Sequence, residues 1–110
     1  MTDPKPALPE VTAPTLWSKP ACPQCTGAKL GFTAAGVQPD IRQLLEEPGA
    51  LTAFKTAGFT SAPIIQFPEV RDGDEVLFEA KTVAGNQVDD IAAYGAAVKT
   101  LASRRELIAA

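Results

Sequence analysis

Short apolar runs occur along the chain, and four of them predict β-strands. Pro39 places the second strand near an edge of the sheet, or moves its start to Asp40. The dipeptide Asp72-Gly73, which precedes the last run, is typical of a two-residue hairpin turn. The predicted strands cover residues 15–18, 37–44, 64–67 and 76–78.

Apolar residues also recur at helical spacing in three segments. Gly36 and Gly58 mark the ends of the first two predicted helices, and Asp89 or a residue just before it caps the third. Pro48 suits the first turn of the second helix, where a backbone N–H has no intrahelical partner to lose. The predicted helices cover residues 23–35, about 46–57, and about 89 to 105 or beyond.

The order of elements is therefore β-α-β-α-β-β-α. A helix joins the first two strands, so these strands are expected to be parallel with a right-handed crossover. The last two strands form a hairpin and are therefore antiparallel. The sequence thus predicts an α/β fold, with a four-stranded mixed sheet and helices on both faces.

Length and composition predict one domain, because the chain has 110 residues and 45% of them are hydrophobic. Residues 1–13 contain three prolines and little periodicity, so they are predicted to be a mobile tail before a domain at 14–110.

The net charge is −3 and no basic run stands out, which argues against nucleic-acid binding. No apolar stretch has membrane-spanning length and the N-terminus lacks a signal-peptide pattern, so a cytoplasmic protein is expected.

The candidate chemistry lies in the chain's only two cysteines, Cys22 and Cys25, which form a Cys-Pro-Gln-Cys box after the first strand. Such a box at a strand-to-helix junction is typical of thioredoxin-like redox proteins. The first backbone N–H groups of a helix are unpaired and carry partial positive charge, so a Cys22 thiolate is expected to form more readily than a free one. Cys25, one turn further on, is expected to be better shielded. Pro23 is tolerated in the first turn.

Other uses of the two cysteines need to be considered. A purely structural disulfide would close a very small ring and leave the rest of the fold without a crosslink. Zinc requires four ligands, and the chain has no histidine and no third cysteine, so one chain cannot build that site. Ligand number leaves a metal or iron–sulfur centre shared between two chains as one alternative. A redox-inactive binding domain is a further alternative, and the two intact cysteines argue against it.

Three segments resemble the glutaredoxin-like NrdH redoxins of the thioredoxin superfamily, and the resemblance covers about residues 15–102. Residues 18–25 are similar to the Lys-Pro-x-Cys-x-Gln-Cys site of these redoxins. Residues 58–65, Gly-Phe-Thr-Ser-Ala-Pro-Ile-Ile, resemble their Gly-Tyr-x-x-Ala-Pro-Val-Val. Residues 85–91, Gly-Asn-Gln-Val-Asp-Asp-Ile, resemble their Ser-Gly-Phe-x-Pro-Asp-x-Ile.

The resemblance implies a thioredoxin fold and a thiol-disulfide oxidoreductase that acts as a dithiol electron carrier. It assigns Cys22 as the attacking thiol and Cys25 as the resolving thiol, with their redox-active disulfide as the only redox group and no bound cofactor or metal. It implies a cis peptide bond before Pro63, and pairing of the Ala62 backbone with the substrate chain. The other expected partner-binding residues are Lys19, Pro23, Gln24, Gly85 and Asp89.

The implied partners are a thioredoxin reductase as electron donor and a ribonucleotide reductase as acceptor, with the carrier itself a monomer. Glutaredoxins usually have an aromatic residue where this chain has Gln24, and the spacing from Gly85 to Asp89 is one residue longer than theirs. Both differences argue against tight glutathione binding. However, Ala84 and Asn86 replace aromatic residues of the NrdH redoxins, and the stretch 68–81 is longer than theirs.

A glutathione-dependent glutaredoxin is therefore the alternative within the same class. The pair Asp89-Asp90 echoes the glutathione-binding segment of glutaredoxins, although simple helix capping also explains two acids at this position. Lys19 has two interpretations as well. It is either a solvated surface charge or a group that steadies the Cys22 thiolate by Coulomb attraction.

Overall fold

The computed structural model describes residues 7–109. Within them the chain forms six strands and three α-helices, with one short 3-10 turn after the second strand. In order these are β1 (Thr15–Ser18), α1 (Pro23–Ala34), β2 (Asp40–Gln43), the 3-10 turn (Leu44–Glu46), α2 (Pro48–Thr56), β3 (Ile64–Phe67), β4 (Val70–Asp72), β5 (Glu75–Phe78), β6 (Lys81–Ala84) and α3 (Val88–Ala109).

The main sheet has four strands in the order β2-β1-β3-β6. β1 and β2 are parallel, whereas β3 is antiparallel to both of its neighbours, β1 and β6. The predicted four-stranded mixed sheet is therefore confirmed. β2 begins at Asp40, because Pro39 cannot donate a ladder hydrogen bond and the Asp40 N–H donates to the Pro14 carbonyl (2.8 Å).

The fourth strand of this sheet is not the predicted segment 76–78. That segment belongs to β5, which pairs with β4 in a separate two-stranded sheet. Asp72 is paired with Glu75 across a two-residue loop, and such a tight turn joins only the residues next to it. The place beside β3 is filled by β6, which the sequence analysis missed because Lys81-Thr82-Val83-Ala84 contains only two good strand formers.

The first face of the main sheet is covered by α1 and α3. Leu16 and Ile65 of the sheet pack there against Phe32 and Ile91 of the two helices. At the end where β3 finishes, three aromatic rings form an aromatic cluster, with centroid distances of 5.4 Å (Phe67–Phe78), 5.4 Å (Phe67–Tyr94) and 5.3 Å (Phe78–Tyr94). This cluster holds the β4–β5 hairpin against α3, and desolvation raises the pKa of the Tyr94 hydroxyl above its ordinary value.

The opposite face is covered by α2, so helices lie on both faces as predicted. Trp17 and Ile64 of the sheet pack there against Phe54 of α2. Below them the buried side chain of Gln66 joins two segments. Its Oε1 accepts a hydrogen bond from Trp17 Nε1 (2.9 Å), and its Nε2 donates to the Pro9 carbonyl (2.7 Å).

The predicted mobile tail lies partly outside the described residues, because residues 1–6 are not among them. In the described part, Leu8 packs against the cluster around Trp17, and the Pro9 carbonyl is tied to Gln66. The division into tail and domain at residue 13 stays a prediction. Among residues 7–109, no helix is long and apolar enough to cross a membrane.

α3 packs tightly at Gly95 against Ala35, the residue that follows α1. A Cβ atom at this position would lie 2.9 Å from the Ala35 Cβ and 3.0 Å from the Ala35 carbonyl oxygen, so only glycine fits without a shift. Gly31, about one turn before Ala35 on α1, is less restricted, because its Cβ would meet the Ile91 side chain at 3.5 Å. Both contacts hold the helix that carries the cysteines against α3.

Candidate functional site

The two cysteines lie where β1 ends and α1 begins, and they are joined by a disulfide with their Cα atoms 5.2 Å apart. Cys22 is the N-cap residue of α1 in an extended conformation (φ −117°), and Pro23 occupies the first turn. The Cys25 N–H donates to Cys22 Sγ (3.1 Å). A helix-start N–H aimed at this sulfur would stabilise negative charge on it, because that N–H has no intrahelical partner.

The two sulfur-bearing residues differ in exposure. Cys22 is half-buried, whereas Cys25 is only 2% exposed and belongs to the core. A bulky protein substrate can therefore reach Cys22 far more easily than Cys25. The accessible sulfur is therefore that of Cys22, and the shielded sulfur is that of Cys25.

The residue before Cys22 has an unusual backbone. Ala21 has φ +55°, in the left-handed region that residues with a Cβ seldom adopt. The sequence analysis did not single out Ala21, since nothing in its residue type signals this conformation. The turn made by Lys19, Pro20 and Ala21 brings the chain from the end of β1 to the start of α1 within a few residues.

The loop before β3 lies at the same end of the sheet as the cysteines. The Ala62–Pro63 peptide bond is cis, as the resemblance implied, and Pro63 is buried. The Pro63 carbonyl accepts a hydrogen bond from the Gly85 N–H (2.7 Å). The structure thus joins two of the expected partner-binding positions, Pro63 and Gly85.

Side-chain amides fill the space between α1 and the loop that leads into α3. The Gln24 Oε1 lies 3.4 Å from the position that a Cβ on Gly85 would take, and Gly85 itself has φ +85°. The Asn86 amide lies against Gly27, where a Cβ would be 2.8 Å from Asn86 Nδ2. Asn86 Oδ1 is buried without a hydrogen-bond partner within the described part of the chain.

The two acids at the start of α3 have different surroundings. α3 begins at Val88, so Asp89 and Asp90 lie in its first turn. Asp90 accepts a hydrogen bond from Lys81 Nζ (2.6 Å), which gives it a structural role between β6 and α3. Asp89 is exposed and remains a candidate contact for a partner.

Lys19 lies beside the disulfide and lines two cavities. One, of about 710 Å³, we call the thiol-side cavity; it is also lined by both cysteines and by Ser18, Thr26, Lys29 and Gln43. The other, of about 270 Å³, is also lined by residues of α2 and of the loop before β3. In the described part of the chain, no group of three or more His, Cys, Asp or Glu side chains is placed to hold a metal ion.

The sequence analysis missed four polar residues of the thiol-side cavity, although two signals point to them. Thr26 and Lys29 follow Cys22 at helical steps and so share its side of α1. Ser18 and Gln43 are direct neighbours across the parallel pair β1–β2. These signals identify the four residues only when the register of β1 with β2 and the first residue of α1 are both known.

The family model that matches this chain is Glutaredoxin, over residues 15–76, which is more than half of the 110 residues. The chain therefore belongs to the glutaredoxin family, and it is a thiol-disulfide oxidoreductase with Cys22 and Cys25 at disulfide distance. No curated protein matches the sequence.

Among solved structures, the chain is similar to the NrdH-redoxin from Escherichia coli, described as a glutaredoxin-like protein with a thioredoxin-like activity profile. The TM-score is 0.55 and the sequence identity is 22%, with 71% of this chain and 88% of that chain covered. This likeness confirms the thioredoxin fold predicted from the sequence.

Proposed function

We propose that this protein is a dithiol electron carrier whose Cys22 attacks disulfides of protein substrates. The observation that carries the proposal is the arrangement of the two sulfurs. Cys22 is accessible and its Sγ receives the Cys25 N–H, whereas Cys25 is buried directly behind it. This is the arrangement that an attacking and a resolving thiol require.

The reaction transfers two electrons. The Cys22 thiolate attacks one sulfur of the substrate disulfide, forms a mixed disulfide and releases the first substrate thiolate, which takes up a proton. Cys25 then loses its proton and attacks Cys22 Sγ, which releases the second substrate thiol and leaves the Cys22–Cys25 disulfide. A reductase returns two electrons and two protons to this disulfide. In this proposal the disulfide is the only redox group that the chain needs, without a bound cofactor.

A thioredoxin reductase is the proposed electron donor. Gln24 lies against Gly85, where glutaredoxins usually present an aromatic residue beside the glutathione peptide. The thioredoxin-like activity profile described for the E. coli NrdH-redoxin supports the same choice for this chain. The proposed acceptor is a ribonucleotide reductase, as the resemblance implies, and the carrier is proposed to act as a monomer in a reducing compartment such as the cytoplasm.

Glutathione is the second candidate donor, because exposed Asp89 lies in the first turn of α3, four residues after Gly85. The two donors are distinguished by side-by-side assays of insulin-disulfide reduction, monitored through NADPH at equal concentrations of the protein. One assay contains thioredoxin reductase from the source organism, and the other contains glutathione with glutathione reductase. Faster turnover with thioredoxin reductase is expected, and faster turnover with glutathione would overturn the proposed donor.

A centre shared by two chains would require a metal that bridges the cysteines. Metal analysis and an absorption spectrum of freshly purified protein test this, together with its molecular mass in solution. A colourless, metal-free monomer is the expected result. A brown dimer that contains stoichiometric iron would contradict the electron-carrier proposal.

A further inference from the structure

We propose that Ala21 is a positioning residue for the reaction of Cys22, because its left-handed backbone turns the chain so that Cys22 Sγ meets the N–H groups at the start of α1. The inference rests on the proposed function, since it concerns the thiol that attacks the substrate. It adds to the site a residue without a reactive side chain, whose contribution is the direction that its backbone gives to the chain.

Two prolines leave Ala21 as the residue that changes the direction of the chain between β1 and α1. The φ angle of Pro20 is fixed by its ring, and a residue that precedes a proline is held in extended conformations, which applies to Lys19 and Cys22. Cys22, which precedes Pro23, accordingly has φ −117° and ψ 99°. Ala21 is therefore the residue of this connection that no proline restricts, and it adopts φ +55°.

The left-handed conformation of Ala21 costs free energy, because this residue has a Cβ atom. Pro20 followed by a positive φ is the pattern of a type II turn, in which the second of these positions usually holds glycine or asparagine. Unfavourable backbone conformations persist only where the surrounding structure enforces them, and they concentrate at functional sites. Ala21 is exposed, so packing of its methyl group does not explain its conformation. The cause lies in the chain on either side of it.

The chain is held in place both before and after Ala21. Before it, Ser18 is buried at the end of β1 within the main sheet. After it, the Cys22 carbonyl accepts a hydrogen bond from the Thr26 N–H (3.2 Å), and Cys22 Sγ accepts one from the Cys25 N–H (3.1 Å). A negative φ at Ala21 would rotate the chain that follows it, so the Cys22 sulfur would lose its alignment with that N–H.

The alignment affects the chemistry because the reactive form of a cysteine is the thiolate. A helix-start N–H that points at the sulfur stabilises the negative charge, and the effect of the helix end falls off within the first turn. Rotation of Cys22 away from the start of α1 therefore lowers the fraction of thiolate at neutral pH. Ala21 thus influences the first step of the reaction, in which the Cys22 thiolate attacks the substrate disulfide.

Substitutions that differ in their tolerance of a positive φ test the proposal. Asparagine adopts left-handed conformations more readily than other residues with a Cβ, whereas β-branched threonine does so rarely. The two side chains are both polar and similar in size, so Ala21→Asn and Ala21→Thr place comparable bulk beside Cys22. The reduced wild type and both reduced variants are alkylated with iodoacetamide over a range of pH, and mass-spectrometric mapping identifies the modified cysteine.

At neutral pH, Cys22 in Ala21→Thr is expected to be alkylated about two- to fivefold more slowly than in the wild type, as expected when a charge loses its interaction with a helix end. The midpoint of its pH profile should move to higher pH, because a less stabilised thiolate forms at higher pH. Ala21→Asn is expected to keep the wild-type rate and midpoint. A merely structural role would leave both midpoints unchanged, and equal slowing in both variants would assign the effect to bulk beside Cys22. Either result would overturn the proposal.

Two further variants keep the test decisive if Ala21→Thr does not fold. Leucine branches at Cγ as asparagine does but seldom adopts a positive φ, so Ala21→Leu should show the slower alkylation. Glycine adopts this φ without steric cost, so Ala21→Gly should raise the urea midpoint of the oxidised protein. A lower midpoint for Ala21→Gly would show that Ala21 is not strained and would overturn the proposal, as would wild-type alkylation of Ala21→Leu.

The mapping also separates this proposal from the proposed function. If Cys22 of the wild type is alkylated before Cys25, but Ala21→Thr and Ala21→Leu match the wild type, the attacking role of Cys22 stands and the role of Ala21 is overturned. If Cys25 of the wild type is alkylated first, both proposals are overturned.

Discussion

The two ends of the main sheet are built in different ways. At the end where β1 finishes, Cys22 is half-buried, Ala21 is left-handed, the thiol-side cavity is open, and Asn86 Oδ1 lacks a partner within the described residues. At the end where β3 finishes, the aromatic cluster is packed, and the described residues there include no left-handed residue with a Cβ and no buried side-chain atom without a hydrogen-bond partner. There Arg104 of α3 also pairs with Asp72 (2.9 Å) and Glu75 of the β4–β5 hairpin.

The difference indicates that reactivity and stability are located in separate parts of the molecule. Buried polar groups without partners and left-handed residues reduce stability, and such features concentrate at functional sites. A packed aromatic cluster contributes stability without chemistry. If this separation holds, substitutions at one end change activity and substitutions at the other change the free energy of unfolding.

The largest expected effect is on activity and comes from the cysteines. Cys22→Ser is expected to abolish disulfide reduction, because serine is far less nucleophilic and cannot form the mixed disulfide. Cys25→Ser should stall after the first step and accumulate a mixed disulfide with the substrate, detectable by non-reducing gel electrophoresis and mass spectrometry. Normal turnover of Cys25→Ser with protein substrates would contradict the two-thiol mechanism. Denaturant unfolding of reduced wild type and both variants should give closely similar midpoints.

The second effect is on stability and comes from the aromatic cluster. Phe67→Ala is expected to lower the free energy of unfolding by about 3–5 kcal/mol, as removal of a buried aromatic side chain usually does. The rate of disulfide reduction per folded molecule should remain close to that of the wild type. Phe59→Ala is the comparison variant, and it should cost less because Phe59 is only half-buried. Urea titration gives both values. A similar decrease in the free energy of unfolding for the two variants would mean that the two ends of the sheet do not differ in packing.

A smaller effect is expected where α1 packs against α3. Gly95→Ala should lower stability by about 1–3 kcal/mol, because the new methyl group would overlap Ala35, including its carbonyl oxygen. Gly31→Ala on the facing helix meets only ordinary contacts and should raise stability by about 0.5–1 kcal/mol through helix propensity. Thermal unfolding of the two variants measures the contrast. The two variants are expected to change stability in opposite directions. Destabilisation by both would contradict the packing difference between the two glycine positions.

The smallest effect is expected for the ion pairs on the hairpin. Arg104→Gln should lower the free energy of unfolding only slightly, because the Arg104 side chain is exposed enough for water to screen its pairs with Asp72 and Glu75. The difference from wild type should vanish in 1 M salt. Arg105→Gln is the control, since the exposed Arg105 forms no ion pair within the described residues. A larger cost that persists in 1 M salt would mean that Arg104 contributes mainly by packing.

The sequence was sufficient to predict the parts of the fold that depend on local patterns. The helix that starts at Pro23, the strand at 64–67 and the cysteine pair follow from periodicity, proline placement and spacing, and the structure has them there. The cis bond before Pro63 was implied only by the resemblance, because a proline at the start of a strand carries no local sign of its isomer.

The parts that the sequence could not predict depend on contacts between distant segments. β6 lies beside β3 because β4 and β5 pair with each other and leave that position open. No pattern within residues 81–84 predicts this pairing. The thiol-side cavity is formed by the register of β1 with β2 and by the rotation of α1 above them. The two hydrogen bonds of Gln66 join segments far apart in the sequence, so no local pattern around this residue predicts them.

The contact between Trp17 and Gln66 has a spectroscopic consequence. The chain contains one tryptophan, and its side chain is fully buried, with its indole N–H held by Gln66 and Arg42 stacked on its ring at 4.6 Å. Its fluorescence therefore reports on a single, defined position without any label. Because the same Gln66 amide holds the Pro9 carbonyl, release of the segment around Pro9 should alter the emission spectrum before the sheet itself unfolds. The protein thus contains its own optical probe for the docking of that segment.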